Sequence, residues 1–315
     1  MTNKYKNIVL FSSSTIVLPT LYMLLDSQYS VLVVLNEQGD SDCMQLEQQL
    51  HHMNVPAIRY QTNQPELVVY QIKSRQADLG LIYTFSHKLP AVVLNAFDGG
   101  LFNLHASALP QYRGSMPLYW QIRNRETESY LSIIKVEDEF DTGDIMLQQI
   151  MTLSPLDTLN SVAHTLAQQA PQFIQDFMTR YANDELTAVA QQGEASNARM
   201  PTQKDMLINW KTMKSEEIAA AARAGNPLFN GMTIIWKQSY MGLLQATSIE
   251  HPNYGVPAGT VLHIGEPEGV VVATLDGALR LDVLTIAEGV FSGLAFAERF
   301  GLDAGMQFEL ISEQG

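Results

Sequence analysis

The chain is 315 residues long, 46% hydrophobic and 17% charged, and its 33 acidic and 19 basic residues leave a formal net charge of −14. That length accommodates two packed domains, and the composition excludes wholesale disorder. The acidity argues against a protein that wraps a polyanion, because neutralising many phosphates calls for a basic surface; a local basic groove remains compatible with it.

From the N-terminus, 1–6 is polar, and the apolar run Ile8–Phe11 is too short for a signal-peptide core or a membrane span, so neither secretion nor membrane insertion is expected. Asn7–Ser12 reads as a strand, Pro19–Asp26 as a helix and the valine-rich Val31–Leu35 as a second strand, a β-α-β opening. Cys43 follows; as the single cysteine it cannot form an internal disulfide, and with no CxxC or zinc-ligand cluster the natural compartment is a reducing cytoplasm. Helical spacing returns over 44–53 and 65–75. Strands are then expected at 78–83 and 100–104, a helix at 117–125, strands at 130–136 and 145–153, and a long amphipathic helix over 156–181. This alternation predicts an α/β, Rossmann-like parallel sheet in a domain spanning 1–190. A polar stretch at 191–204 reads as a linker. In 205–315, a helix capped by Ser215 is followed by short strands at 232–237, 260–264, 270–275 and 278–284, which suggests a small β-barrel.

Ligands of open α/β sheets bind beyond the carboxyl ends of the strands. Two segments at such ends carry chemistry: Asn103-Leu104-His105, and Phe140-Asp141-Thr142-Gly143-Asp144, whose Asp141 lies 38 positions beyond Asn103. Attack of an amine on a carbonyl builds an oxyanion and a proton that must leave the nitrogen. An amide can donate to that oxyanion, an imidazole can move the proton, and a carboxylate can orient or charge-stabilise the imidazole. Taken alone, Asn-x-His is a weak signal, because a short polar turn after a strand often serves only to satisfy backbone groups. The hydroxyl run Ser12-Ser13-Ser14-Thr15 precedes a helix and suits either an acceptor's phosphate or simple capping, with Ser12 and Ser13 as candidate acceptor contacts. Neither G-x-G-x-x-G nor GxxxxGK[ST] is present, which argues against NAD-dependent redox chemistry and P-loop ATP hydrolysis.

The run Phe102–Gly114 together with Asp141-Thr142-Gly143-Asp144 resembles the 10-formyltetrahydrofolate-dependent formyltransferases, including the methionyl-tRNA and amino-sugar branches. Ile208-Asn209-Trp210 and Arg223-Ala224-Gly225-Asn226-Pro227 are similar to the opening of the C-terminal domain of those branches. The resemblance implies that Asn103, His105 and Asp141 match the catalytic Asn, His and Asp. It implies a 10-formyltetrahydrofolate co-substrate with no metal, and an OB-like C-terminal barrel. It also implies a pterin-binding loop at Thr84–Pro90, for which Phe85, Ser86 and Leu89 are the candidate contacts along with Asp141. Pro90 alternatively opens a helix at N1. Tyr112 and Arg113 are candidate acceptor contacts, Arg113 by binding a phosphate or instead by pairing with Asp144. Relatives commonly carry glycine where this chain has its serine run.

The expected reaction is formyl transfer to a primary amine. A small acceptor such as an amino-sugar nucleotide is preferred, methionyl-tRNA is the alternative, and a non-catalytic folate- or nucleotide-binding module is the reading of a different class. tRNA is disfavoured because the loop after the second strand, where the tRNA branch carries a basic insertion, reads Asn36-Glu37-Gln38-Gly39-Asp40-Ser41-Asp42, and because 239–315 holds only Arg280 and Arg299 as bases against ten acids. Lys204, Lys211, Lys214 and Arg223 are the bases from which a basic strip could be built. His51-His52 reads as a solvated helix surface, and Trp120 and Trp210 read as packing anchors.

Overall fold

The computed structural model describes residues 4–309, which divide into two compact units. One unit takes the chain up to Pro117 with Glu128–Thr152 and Ala163–Arg199; the other takes Leu118–Thr127, Leu153–Val162 and the chain from Met200 onward.

The first unit is built on a seven-stranded sheet. Its strands are β1 (Asn7–Phe11), β2 (Ser30–Leu35), β3 (Ala57–Arg59), β4 (Leu79–Ile82), β5 (Leu101–His105), β6 (Glu128–Lys135) and β7 (Ile145–Thr152), in the order β3-β2-β1-β4-β5-β6-β7. The first five strands run parallel, and β6 and β7 are antiparallel. β1 and β2 are buried on both faces, which is why they read as unbroken Val/Leu/Ile runs. The chain leaves β1 towards β2 on one side and returns to β4 on the other, so strand order reverses there and a crevice opens at the carboxyl ends.

Helices α1 (Leu18–Asp26), α2 (Ser41–His52), α3 (Glu66–Ser74) and α4 (Ala91–Leu94) connect these strands. One face of the sheet buries Val9, Phe11, Leu32 and Val34 with Val68 and Ile72 of α3 and Val93 of α4. α6 (Leu159–Ala182) spaces Leu166, Ala170, Phe173, Phe177 and Met178 along one buried stripe, and Phe102 of β5 packs edge-on to Phe177 and Tyr181, each with ring centroids 4.9 Å apart.

The second unit contains α5 (Pro117–Arg123) from Leu118 onward and α7 (Ser215–Gly225). Its strands are β8 (Met232–Trp236), β9 (Ser239–Ile249), β10 (Val261–Gly265), β11 (Gly269–Ala273), β12 (Ala278–Ile286) and β13 (Gly289–Ser292), followed by α8 (Gly293–Phe300). The strands form one antiparallel sheet, β10-β11-β12-β9-β8, with β13 on β12. Its core gathers Trp210, Ile218, Met232, Leu243, Val270, Leu281, Phe296 and Phe308. Trp210 is a packing residue, stacked on Phe308 at 5.7 Å.

The short β3, the eleven-residue β9, β13 and α8 were absent from the elements expected. β9 carries Gly242 and Gln245 among its apolar residues and departs from strict alternation, a pattern that its register shifts against β12 explain. Ser215 is not the cap of α7 but its first residue: Lys214 holds the cap position, and the Ser215 N–H donates to Asp276. Pro90 likewise holds the cap position of α4 rather than N1. No described helix is long and apolar enough to cross a membrane.

Candidate functional site

Register places the site. Val34, Phe11, Ile82, Asn103 and Ile134 form one row across β2, β1, β4, β5 and β6. Asn103 therefore sits one strand spacing from Ile82, just before the loop that begins at Thr84. His105, two residues further along β5, is buried.

Asp141 joins the two. It lies in the turn between β6 and β7 with φ of +56°, the left-handed region that Asp tolerates better than most residues. Its Oδ1 accepts from Asn103 Nδ2 at 3.0 Å, its Oδ2 accepts from the Gly114 N–H at 2.8 Å, and the same Oδ2 stands 3.6 Å from His105 Nδ1. The Tyr112 carbonyl lies 2.9 Å from His105 Nε2. A carbonyl only accepts, so Nε2 carries a hydrogen in this arrangement. Asn103, His105 and Asp141 thus form one connected group, with Tyr112 and Gly114 drawn in by their backbones.

The turn admits little variation. A Cβ on Gly143 would fall 1.9 Å from the Lys135 carbonyl oxygen, and the Lys135 N–H donates to the Asp144 carbonyl at 3.0 Å, closing the turn onto β6. Gly114, at φ +110°, meets the Asp141 carboxylate with its N–H where a side chain would crowd Asn197 Oδ1 at 2.9 Å.

The remaining expected contacts fall in two places. Arg113 does not pair with Asp144: its Nε and Nη2 donate to Gln191 Oε1 at 3.1 and 2.6 Å. The Tyr112 N–H donates to Ser196 Oγ at 2.8 Å. The stretch expected to be a plain linker accordingly lies against the site, with Gln191 accepting from Arg113 and Asn197 bridging to it.

Around the ends of β1, β2 and β4, Ser12 Oγ is 3.1 Å from Thr84 Oγ1, and Ser13 Oγ accepts from the Asn36 N–H at 2.8 Å. Both serines are buried and committed to neighbouring loops. Thr15 donates from both its N–H and its hydroxyl to Asp42. Ser86 accepts from Asn36 Nδ2 at 2.9 Å. Leu89 is buried in the sheet core, and Phe85 packs between Phe11 and Tyr60 at 5.4 and 5.7 Å. Burial pushes the phenols of Tyr60 and Tyr83 up, so both stay protonated at neutral pH.

A cavity of about 590 Å³ opens beside the strand that carries Asn103 and the turn that carries Asp141; its lining includes Leu94, Phe97, Leu101, Val136, Glu139 and Thr142. That volume lies within the range of small-molecule pockets. Leu94, Leu101 and Val136 of that lining were not among the contacts expected, although the last two flank Asn103 and the Asp141 turn in sequence. Nor was Gln191 beside Arg113, because a lone Gln in a polar stretch carries no pattern. Among the described residues no group of three or more His, Cys, Asp or Glu could hold a metal ion, and His51 and His52 meet only edge to face at 6.1 Å.

Residues 6–178 match the family model described as Formyl transferase, and 201–298 match Formyl transferase, C-terminal domain. The methionyl-tRNA formyltransferase of Desulforamulus reducens is 28% identical over 207 residues, covering 65% of this chain and 64% of that protein, just under two thirds of its length. Among solved structures, HypX from Aquifex aeolicus in complex with tetrahydrofolic acid aligns with a TM-score of 0.66 at 16% identity, over 97% of this chain and 51% of HypX. The N-formyltransferase from Helicobacter canadensis, in complex with folinic acid and dTDP-3-aminofucose, aligns with a TM-score of 0.64 at 19% identity, over 87% and 98% of the two chains.

Proposed function

Because the chain belongs to the formyl transferase family, we propose that it is a folate-dependent enzyme that transfers a formyl group to a primary amine. The observation that carries this reading is the grouping at the strand ends of Asn103, hydrogen-bonded to Asp141, with His105, whose Nδ1 stands 3.6 Å from the same carboxylate. When bound, 10-formyltetrahydrofolate supplies the formyl carbon. Asn103 gives one amide hydrogen to Asp141 and has a second with which to meet negative charge developing on the formyl oxygen. With Nε2 already carrying a hydrogen, His105 would take the proton leaving the amine at Nδ1, with the Asp141 carboxylate 3.6 Å away to stabilise the imidazolium, and return it to the departing folate nitrogen as its bond to the formyl carbon breaks. Leu94, Leu101 and Val136 would supply apolar walls for the pterin, and the loop holding Phe85–Leu89 leaves β4 just after Ile82, the register partner of Asn103.

On the acceptor, the names of the curated relatives support methionyl-tRNA better than the amino-sugar nucleotide expected from charge and composition. A second reading, a small amine, is favoured by one observation. The loop at 36–42, where a tRNA backbone would have to be met, carries three acids and no base.

Formyl transfer measured with 10-formyltetrahydrofolate and either charged initiator tRNA or amino-sugar nucleotides tests both levels. Turnover with one acceptor class alone selects it. Absence of transfer to any amine, with folate binding intact, would favour the non-catalytic module.

A further inference from the structure

Asp141 reaches its partners from a left-handed backbone conformation, so something outside the turn has to hold it there. Within the first unit, Gln191 spans the gap between that turn and the Arg113 loop. Its Nε2 donates to the carbonyls of Asp141 and Gly143, both at 2.8 Å, and its Oε1 accepts both hydrogen bonds from Arg113. Both amide hydrogens and both lone pairs of the side chain are thereby used. The reverse amide orientation would set NH2 against a guanidinium and oxygen against two carbonyls, so chemistry alone settles which end is which. Gln191 is half-buried, whereas residues 192–197 beside it are exposed.

We propose that Gln191 is a positioning residue of this enzyme, clamping the Asp141 turn to the Arg113 loop so that the carboxylate stays in reach of Asn103, Gly114 and His105. This rests on the activity proposed above. The clamp acts at two points on one loop segment: Gly114, next to Arg113, gives its N–H to Asp141 Oδ2, so the carboxylate is tied to the same segment that Gln191 grips through the guanidinium. Arg113 is in turn directed by Gln191 rather than by a carboxylate.

Gln191→Glu separates the two halves of the clamp, since a carboxylate still accepts from Arg113 but has no hydrogen for the two carbonyls. Gln191→Leu removes both halves. Expected for each is a fall in kcat of tenfold or more, with KM for the folate within threefold and Tm little changed, together with at least tenfold faster amide exchange at Gly114. Wild-type kcat and Gly114 exchange in Gln191→Glu would overturn the proposal and leave Gln191 as an anchor for Arg113 alone. Lower Tm with unchanged kcat per folded molecule would overturn it as well, in favour of a structural role. Should neither variant fold, exchange of the Gln191 side-chain amide in the wild-type chain decides: protection supports the clamp, and free-rate exchange sinks it. If the wild type transfers formyl to no amine, the activity reading fails, while the exchange measurements still judge the clamp.

Discussion

Asp141→Asn separates the charge of the carboxylate from its shape. In the wild type both oxygens accept, Oδ1 from Asn103 and Oδ2 from Gly114, with the His105 ring 3.6 Å from Oδ2. An asparagine can offer its oxygen to only one of those donors and must point its NH2 at the other. An unsatisfied buried donor costs about 1–3 kcal/mol, which for a domain of this size lowers Tm by about 2–12 °C. The charge effect is larger. Two unit charges at that separation interact by about 4–5 kcal/mol at an effective dielectric near 20, so an imidazolium formed during proton transfer loses on the order of 10³ in rate. The assay is single-turnover formyl transfer at saturating folate and acceptor, corrected for folded fraction by calorimetry. Asp141→Asn with near-wild-type turnover and unchanged Tm would show that the carboxylate neither satisfies its donors nor assists His105, and would refute the reasoning at both points.

Asn103→Ala should lower kcat by about 10² to 10³, the usual loss for one oxyanion donor, and a drop in Tm alone at constant rate per folded molecule would reassign it to structure. Gly143→Ala drives a methyl into the Lys135 carbonyl, a rigid neighbour, and should destabilise by about 1–3 kcal/mol or more in thermal melts; an unchanged melt would contradict the close approach. In the second unit, burial opposes the Asp276 carboxylate, yet hydrogen bonds from Ser215 and Thr274 outweigh it and hold its pKa below the ordinary value. The stabilisation is therefore fully present above the ordinary carboxylate range and lost as pH falls through the lowered pKa. Asp276→Asn should flatten that acid limb in pH-dependent melts, by little because the group is largely exposed. For tRNA, a filter-binding titration should show weak binding at physiological salt if the acceptor is small, whereas tight binding with a steep salt slope supports methionyl-tRNA.

Much of this protein was legible along the chain. β1, β2 and β4 announce themselves because parallel strands covered on both faces are continuous apolar runs, and α6 because its apolar residues recur at helical spacing. Asn103-Leu104-His105 and Phe140–Asp144 are each weak signals alone, since polar groups after a strand also serve to satisfy the backbone; their joint resemblance to a known family, in the order Asn, His, Asp, made them legible. Three-dimensional structure decided what depends on pairing between distant segments. Register brings Asn103 beside Ile82, and the β6–β7 turn, with Asp141 at a left-handed φ, brings its carboxylate to 3.0 Å from Asn103. Residues 191–198 are polar and carry no periodicity, so in sequence they look like a connector. Folded, Gln191, Ser196 and Asn197 bind the loops around Asp141 and Arg113. The serines after β1 showed the opposite. Their hydroxyls suggested ligand contacts, but Thr84 and Asn36 claim them, because hydrogen-bond capacity near a buried strand end is taken up by whichever loops the sheet order places alongside.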